Sequence, residues 1–406
     1  MKLICRSFVC VLLTVLLVVP VCASGGSGIE EALQMTAAAV SEAPPEISAE
    51  AAILTDEKGN VLWSRNADKR MSPASTTKIM TALTALTDCA EIDGTVKIPG
   101  EAVGVEGSSI YLYEGEELTV RQLIDAVLME SANDAATALA IACSGSVEAF
   151  AARMNAHCAE LGLTDTHFVN PHGLDDPQHY TTARELAAIA RAAMGHDIFA
   201  QTVSTYKKEI PLKGNEGVRL LINHNRLLKT LDGCIGIKTG FTKKAGRCLV
   251  SACERNGVLL YCVTLSAPDD WRDHTALYEW GFSRVTCVTL TEIGEQYTVL
   301  PVVGAAHPDG TQPGDAVMLT VDVKNTDAVR MTMPTDHPEI KKELRLPRFV
   351  YAPVTAGEQL GTAVYTMDGA VLCEVPLYAC TSVAQYVAPT VWARITAWFA
   401  RLFSDR

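Results

Sequence analysis

Residues 71–80 read Met71-Ser72-Pro73-Ala74-Ser75-Thr76-Thr77-Lys78-Ile79-Met80, with a serine and a lysine three positions apart. In a helix, this spacing puts Ser75 and Lys78 on one face. Pro73 suits the first turn of such a helix, where free backbone N–H groups favour a developing anion at Ser75. A lysine can activate a serine hydroxyl when burial lowers the lysine pKa, and the apolar residues after Lys78 predict a helix that enters a core.

Two further short motifs follow in the chain, Ser131-Ala132-Asn133 and Lys238-Thr239-Gly240. The first joins two predicted helices, and the second is expected on or beside an edge of a sheet. Taken singly, Ser131 fits a helix-capping serine, Asn133 a turn residue and Lys238 a solvated lysine at a strand end. A lone Ser-x-x-Lys is likewise typical of an ordinary helix start. The ordered trio in one chain indicates nucleophilic catalysis instead.

Length, charge and the N-terminal segment limit the possibilities. The chain has 406 residues, enough for two domains, and a formal net charge of −13, which argues against nucleic acid as a partner. Residues 1–23 have the basic start, apolar run and small-residue cleavage site of a secretory signal, with cleavage expected after Ala23. A lipid anchor on Cys22 is the alternative, although Val21 is bulky for that signal. Residues 24–44 are interpreted as a linker.

The cysteine pattern predicts neither a metal site nor a disulfide framework. Of thirteen cysteines, three fall in the predicted signal, which leaves ten. No Cys-x-x-Cys pair or Cys/His cluster with zinc-like spacing occurs, and no cofactor is expected. Across the predicted Asn256-Gly257 turn, Cys253 faces Leu260 and is only diagonal to Cys262, too far for a bridge. Free, mostly buried thiols are therefore expected.

Local signals over residues 45–285 predict an α+β domain with helices packed on an antiparallel sheet. Capping boxes begin helices at Thr119 and Thr182, and the second helix is expected to end near Ala193. The predicted strands, joined in pairs by tight turns, are Ala51–Asp56, Val61–Arg65, Arg247–Cys253 and Val258–Ser266.

The sequence pattern changes after about residue 285, from helical stripes to short alternating runs. Short alternating runs predict a small all-β domain over residues 286–385, with strands at 316–323, 329–333, 363–367 and 370–375 and a hairpin turn at Asp368-Gly369. Residues 386–406 contain an amphipathic helix with Trp392 and Trp398 on its apolar face and arginines off it. Such a helix could pack on its own protein, but its composition better fits a membrane interface.

The motifs together resemble the D-alanyl-D-alanine carboxypeptidases, the low-molecular-weight penicillin-binding proteins. The resemblance rests on the trio and on three longer segments, residues 73–83, 170–174 and 236–242, and the β-rich domain and C-terminal helix match the family layout. Two departures are Ala132, where many relatives have glycine, and Phe241, at a position that varies.

The resemblance implies a serine acyl-enzyme mechanism on peptidoglycan stem peptides that end in D-Ala-D-Ala, with acylation by β-lactams. Ser75 would attack the carbonyl carbon, Lys78 would take the serine proton, and Ser131 would relay a proton to the leaving D-alanine. Backbone N–H groups of Ser75 and Phe241 would form the oxyanion hole. The residues expected to bind substrate are Asn133, Lys238, Thr239, Gly240 and Phe241, with Arg272 as a further candidate for the substrate carboxylate.

Alternatives remain open at this point. A serine β-lactamase would share the trio but needs a deacylating acid, and Asp175 and Asp176 are the nearest acids in the 170–180 segment. A non-catalytic scaffold that binds cell wall is the other alternative. His172 and His179 are interpreted as structural. The expected location is the outer face of the bacterial cytoplasmic membrane, after signal cleavage.

Overall fold

The computed structural model describes residues 43–212, 217–306 and 320–404. The predicted signal and all but the end of the predicted linker lie outside the described residues and stay predictions. The helices of the described part are α1 (Lys78–Asp88), α2 (Val120–Met129), α3 (Asn133–Ser144), α4 (Val147–Glu160), α5 (Ala183–Met194), α6 (Asp197–Ser204), α7 (Leu227–Thr230), α8 (Asp270–Phe282) and α9 (Val391–Ser404). Its strands are β1 (Ala51–Asp56), β2 (Val61–Arg65), β3 (Thr95–Lys97), β4 (Glu117–Thr119), β5 (Lys207–Pro211), β6 (Val218–Ile222), β7 (Cys234–Thr242), β8 (Gly246–Arg255), β9 (Val258–Leu265), β10 (Val285–Thr291), β11 (Gln296–Val303), β12 (Thr320–Lys324), β13 (Val329–Pro334), β14 (Ile340–Arg345), β15 (Val350–Tyr351), β16 (Gln359–Met367) and β17 (Ala370–Ala379).

A five-stranded antiparallel sheet with the order β2-β1-β9-β8-β7 supports the first part of the chain. β1 is buried along its whole length, because helices cover both faces of the sheet. Ile53 belongs to the apolar cluster built with α1 to α6, whereas its neighbour Leu54 packs in the cluster that contains Leu277 of α8. This alternation confirms the predicted α+β fold. β7 lies at the edge of the sheet, as the sequence predicted for Lys238-Thr239-Gly240.

Local signals predicted most of these elements well. β1 and β2 have the predicted bounds, and β8 and β9 turn at Asn256-Gly257 with Cys253 opposite Leu260. Thr119 and Gln122 exchange both bonds of a capping box. Thr182 also caps its helix, but the carboxylate of Glu185 accepts the backbone N–H groups of residues 164 and 165 instead of completing the box.

The described residues from Val285 up to the last helix contain strands and no helix, as predicted. Its main sheet has the order β14-β16-β17-β12-β11-β15, and β10 pairs with β13. Val321, Val323 and Leu377 belong to its own buried apolar cluster. β16 and β17 meet at the predicted Asp368-Gly369 turn, whereas the start of the strand expected at 316–323 lies outside the described residues. The described residues from Ala43 onward group as one unit, so the domain boundary near residue 285 stays a prediction.

The last helix, α9, begins at Val391 and exposes every described side chain from there to residue 400. No single helix in the described ranges is long and apolar enough to cross a bilayer; α3 and α4, bent by 82° relative to each other, meet that criterion only as a pair. Most of α3 is buried in the protein core.

The expectation of free thiols is wrong for one pair of cysteines. Cys89, just after α1, forms a disulfide with Cys143 near the end of α3. The two are 54 residues apart in sequence, and only the packing of α1 on α3 brings them together. The remaining cysteines of the described part are free, and Cys158, Cys248, Cys253 and Cys262 are buried.

Candidate active site

Ser75 lies in a short 3₁₀ turn, Ala74–Thr77, and helix α1 begins only at Lys78. The sequence predicted a single helix starting at Pro73, so the candidate nucleophile is found in a tighter turn just before the α-helix. Ser75 is half-buried and lines a cleft.

Hydrogen bonds within the Ser75 turn and a loop packed against it both fix its conformation. The hydroxyls of Thr76 and Thr77 donate to the carbonyl oxygens of Pro73 and Ala74, at 2.6 and 2.8 Å. Ala74 has a φ of +49°, which is strained for a residue with a Cβ. A Cβ added to Gly173 would lie 1.9 Å from the Ala74 carbonyl oxygen, so the loop carrying Gly173 packs directly on the turn. The position of Ser75 therefore depends on tertiary contacts as well as on the helix start.

Lys78 is fully buried and has three hydrogen-bond acceptors. Its Nζ donates to Ser75 Oγ at 3.0 Å, to Asn133 Oδ1 at 2.7 Å and to the His172 carbonyl oxygen at 2.7 Å. Burial, together with the nearby charge of Lys238, holds the pKa of Lys78 well below its ordinary value. A neutral lysine beside a serine hydroxyl can accept the hydroxyl proton.

The Ser131-Ala132-Asn133 segment joins α2 and α3, as predicted. Ser131 has a φ of +58° and is buried at the cleft wall. Asn133 binds the 106–108 segment. Its Nδ2 donates to the Glu106 carbonyl oxygen, and its backbone N–H donates to the Ser108 carbonyl oxygen at 2.7 Å. The side chain of Asn133 thus connects Lys78 to the 106–108 segment.

The next residue, Asp134, fastens the same loop. Its carboxylate accepts the Ser109 hydroxyl at 2.6 Å and the backbone N–H groups of Ile110 and Leu112. The sequence analysis did not single out this residue, although an acid directly after Asn133 in the first turn of a helix was a visible signal.

Lys238 is buried in β7 and is not the solvated strand-end lysine of the alternative interpretation. Its Nζ donates to the Thr239 carbonyl oxygen at 3.0 Å. Burial lowers the pKa of Lys238 to about 7, against the opposing effect of the Glu130 carboxylate. Near neutral pH this cation is therefore close to losing its proton.

Gly240 allows the edge strand to touch the Ser75 turn. A Cβ at Gly240 would lie 3.0 Å from the Pro73 carbonyl oxygen and 3.1 Å from the backbone nitrogens of Ser75 and Thr76. The sequence analysis placed Gly240 among the residues expected to bind substrate. The structure gives another reason for glycine at this position, because the close approach is made by the protein's own backbone.

The cleft has a volume of about 310 Å³. Its lining includes five residues that the sequence predicted: Ser75, Ser131, Thr239, Gly240 and Phe241. Lys78 and Lys238 do not line it; both are buried residues of the elements that do. The lining residues that sequence reasoning missed are Ser108, His224, Arg247, Asp270 and Trp271.

The structure places the candidate Arg272 on the protein surface, outside the cleft lining. Its side chain is 77% exposed, it lies 3.9 Å from Asp269, and it is absent from the cleft lining. Arg247 lines the cleft instead, and the Asp270 carboxylate accepts its Nε at 3.0 Å and its Nη2 at 2.8 Å. The β7–β8 register puts Arg247 directly opposite Phe241. A hairpin drawn from Lys238-Thr239-Gly240 to Gly246 was the signal that could have found it.

Two family patterns match this chain. The pattern described as D-alanyl-D-alanine carboxypeptidase spans residues 38–269, and the one described as the C-terminal domain of penicillin-binding protein 5 spans residues 315–385. The chain belongs to the D-alanyl-D-alanine carboxypeptidase family. It is a serine-type carboxypeptidase, a hydrolase with the penicillin-binding protein 5 fold.

Individual relatives agree with the family. The carboxypeptidase is 30% identical to D-alanyl-D-alanine carboxypeptidase DacF of Bacillus subtilis, over 81% of this chain and 84% of that protein. It is also 30% identical to D-alanyl-D-alanine carboxypeptidase DacC of Escherichia coli K12, over 89% and 92%. Penicillin-binding protein 5 from Haemophilus influenzae superposes with a TM-score of 0.61 at 28% identity, covering 85% of this chain and 100% of the crystal chain.

Two histidines lie at or near the carboxypeptidase cleft. His224, which lines the cleft, lies 3.2 Å from Glu130, and burial together with Lys238 lowers its pKa. His179 has both ring nitrogens engaged, with Thr77 and with the Val169 backbone N–H, and burial lowers its pKa to about 4. These contacts of His179 agree with the structural role expected for it.

Asp175 and Asp176, the two acids considered for deacylation, both accept hydrogen bonds from other residues of the protein. Asp175 Oδ1 accepts the hydroxyls of Ser72 at 3.0 Å and Thr242 at 2.9 Å. Asp176 accepts the Gln178 backbone N–H. Asp175 thus connects the segment before Ser75 to the end of β7 and holds the two in position.

Proposed function

We propose that this carboxypeptidase removes the terminal D-alanine from peptidoglycan stem peptides through an acyl-enzyme on Ser75. One observation carries the proposal: Lys78, fully buried and with a strongly lowered pKa, donates to Ser75 Oγ at 3.0 Å. In the reacting state the neutral amine accepts the serine proton while Oγ bonds to the carbonyl carbon.

The leaving group needs a proton. When the C–N bond to D-alanine breaks, the proton held by Lys78 passes through the Ser131 hydroxyl to the departing nitrogen. The strained backbone of Ser131 in the cleft wall supports this role. Asn133 positions Lys78 with its carbonyl oxygen, and the second N–H of its amide donates to the substrate peptide carbonyl.

The substrate carboxylate meets a cationic end of the cleft. Thr239 supplies a hydroxyl donor, Lys238 a buried charge, and Arg247 a guanidinium. Asp270 holds Nε and Nη2 of Arg247, which supports a fixed direction for the remaining Nη1 donor. Arg247 thus takes the part that the sequence analysis gave to Arg272.

The oxyanion is stabilised by the backbone N–H groups of Ser75 and Phe241. The close packing of Gly240 on the Ser75 turn supports this pairing, because it brings the strand and the turn within van der Waals contact. Water then adds to the acyl carbon, the ester bond to Ser75 breaks, and a peptide shorter by one alanine leaves. A β-lactam acylates Ser75 by the same attack.

We place the enzyme on the outer face of the bacterial cytoplasmic membrane. The secretory signal predicted over residues 1–23 would export it, and α9 would lie in the membrane interface. The exposed apolar side chains of α9 support the second step; they are Val391, Trp392, Ile395, Trp398 and Phe399.

The test is intact mass of the mature chain, followed over time with benzylpenicillin, and D-alanine release from a D-Ala-D-Ala peptide. A long-lived adduct on Ser75 together with D-alanine release is the expected result. Ser75→Ala should abolish both, and Ser64→Ala, on the exposed face of β2, should change neither. Rapid loss of the drug without an adduct would favour a β-lactamase, and no reaction at all would favour a scaffold.

A further inference from the structure

An aromatic pair is exposed on the β-rich part of the chain. Phe349 is 44% and Tyr351 70% exposed, and their ring centroids are 5.4 Å apart. Val303, also exposed, is the register partner of Tyr351 in the parallel pairing of β11 with β15. Together these three residues form a small apolar surface, here named the aromatic rim.

The aromatic rim lies beside the point where the chain leaves the β-rich part. Ala352 donates its backbone N–H to the Val303 carbonyl oxygen, and the next carbonyl, that of Gly304, accepts the Tyr386 N–H at 2.9 Å. Val387 follows and is 81% exposed. From Tyr386 to the start of α9 the chain can span about 17 Å at most. The first residue of α9 therefore lies within about 17 Å of Tyr386, which is bonded next to the aromatic rim.

The chemistry of the aromatic rim suits a lipid surface. Tyrosine and phenylalanine side chains fit the boundary between headgroups and acyl chains, as do the tryptophans of α9. Arg348 precedes Phe349 and has no ion-pair partner within the described ranges of the chain, so its charge is available to an anionic headgroup. At the opposite end of this sheet, Ile293 in the connection before β11 and Val371 in β17 are exposed as single apolar residues, without an aromatic pair.

We propose that the aromatic rim is a second membrane contact, which fixes the orientation of the β-rich part on the bilayer. This inference rests on the proposed attachment of α9 to the membrane. A single helix joined by a short connection leaves the attached protein free to tilt. A second contact beside the connection removes that freedom and holds the catalytic cleft at a defined height above the lipid.

Vesicle binding of the full mature chain tests the contact. The Phe349→Ser/Tyr351→Ser variant should partition about tenfold more weakly to vesicles of phosphatidylglycerol and phosphatidylcholine. Ile293→Ser/Val371→Ser removes two exposed apolar side chains at the other end of the same sheet and should bind like the parent. Equal binding by both double variants would overturn the inference. Unchanged D-alanine release from a soluble peptide would show that the variants are folded.

Hydrogen exchange of the parent chain separates this inference from the proposed function. On vesicles, amides of residues 346–352 and of 391–404 should both gain protection. Protection of 391–404 alone would overturn the rim contact and leave the α9 attachment standing. Protection of neither segment would overturn both. Protection of 346–352 that depends on protein concentration without vesicles would assign the rim to a second copy of the chain, against the proposal.

Discussion

Two strands of this protein end their sheets and carry lysines, yet their environments are opposite. β7 ends the five-stranded sheet with Lys238 buried, whereas β14 ends the six-stranded sheet and exposes five of its six residues, Lys341 and Lys342 among them. The Ser75 turn and α6 pack on β7, so Gly236 and Gly240 sit against other backbone or side-chain atoms. The elements packed over an edge strand therefore decide whether its lysine is a surface charge or a buried group with a lowered pKa.

The exposed edge strand β14 carries charged side chains. The solvent-facing charges of β14 disfavour pairing of this edge with another chain. β7 instead has the turn before α1 packed on it at Gly240.

The largest effect is expected for Lys78. Lys78→Met removes the only base that contacts Ser75 Oγ among the described hydrogen bonds and should lower acylation by benzylpenicillin about a thousandfold. Lys341→Met on the exposed β14 strand should leave the rate within twofold. The acylation rate of both variants is measured by intact-mass spectrometry of samples quenched at successive times. A near-parental rate in Lys78→Met would show that Lys78 is not the base.

The second largest effect is expected for Arg247, with Arg272 as its control. Arg247→Ala should raise KM for a peptide ending in D-Ala-D-Ala about 10- to 100-fold, the range for losing a charge-assisted hydrogen bond, with a smaller change in kcat. Arg272→Ala, largely exposed, should change KM less than twofold. Steady-state D-alanine release measures the difference. The reverse ranking would restore Arg272 and contradict the cleft geometry.

Gly240→Ala should follow, with acylation lowered about tenfold and stability lowered by about 1–3 kcal/mol. The added Cβ would crowd three backbone atoms of the Ser75 turn at 3.0–3.1 Å, none of which can move without shifting the turn. Gly100→Ala is the matched control, since its Cβ would only meet the flexible Glu114 carboxylate at 3.4 Å. Thermal unfolding and acylation rates together report the outcome. A parental acylation rate in Gly240→Ala would show that the strand and turn can separate at no cost.

The smallest expected effect is a change in pH profile. Burial lowers the pKa of Lys238 to about 7, so its proton is lost as pH rises through 7. If charged Lys238 binds the substrate carboxylate, kcat/KM should fall on the alkaline side of pH 7, whereas deprotonation of Lys78 should give the acid limb. Lys238→Arg keeps its charge and should weaken the alkaline fall. Lys342→Arg on β14 should leave the profile unchanged, and an unaltered profile in Lys238→Arg would exclude Lys238 as its source.

Elements built from local signals were predictable. The β1–β2 hairpin, the Thr119 capping box and the Asp368-Gly369 turn depend on residues within a few positions of each other, and all three appear where the sequence predicted them. Glu185 is the instructive exception. Its capping pattern is local, but its carboxylate bonds to a loop about twenty residues earlier, which no local rule could indicate.

The sequence by itself determined the motif trio, the α+β class, the order of the elements and the family. These depend on residue type and short spacing. Tertiary structure alone decided that Arg247 rather than Arg272 lines the cleft, that Cys89 meets Cys143, and that Gly240 contacts the Ser75 turn. Such pairings join segments tens to more than a hundred residues apart. Burial, which lowers the pKa values of Lys78 and Lys238, likewise exists only once these segments pack together.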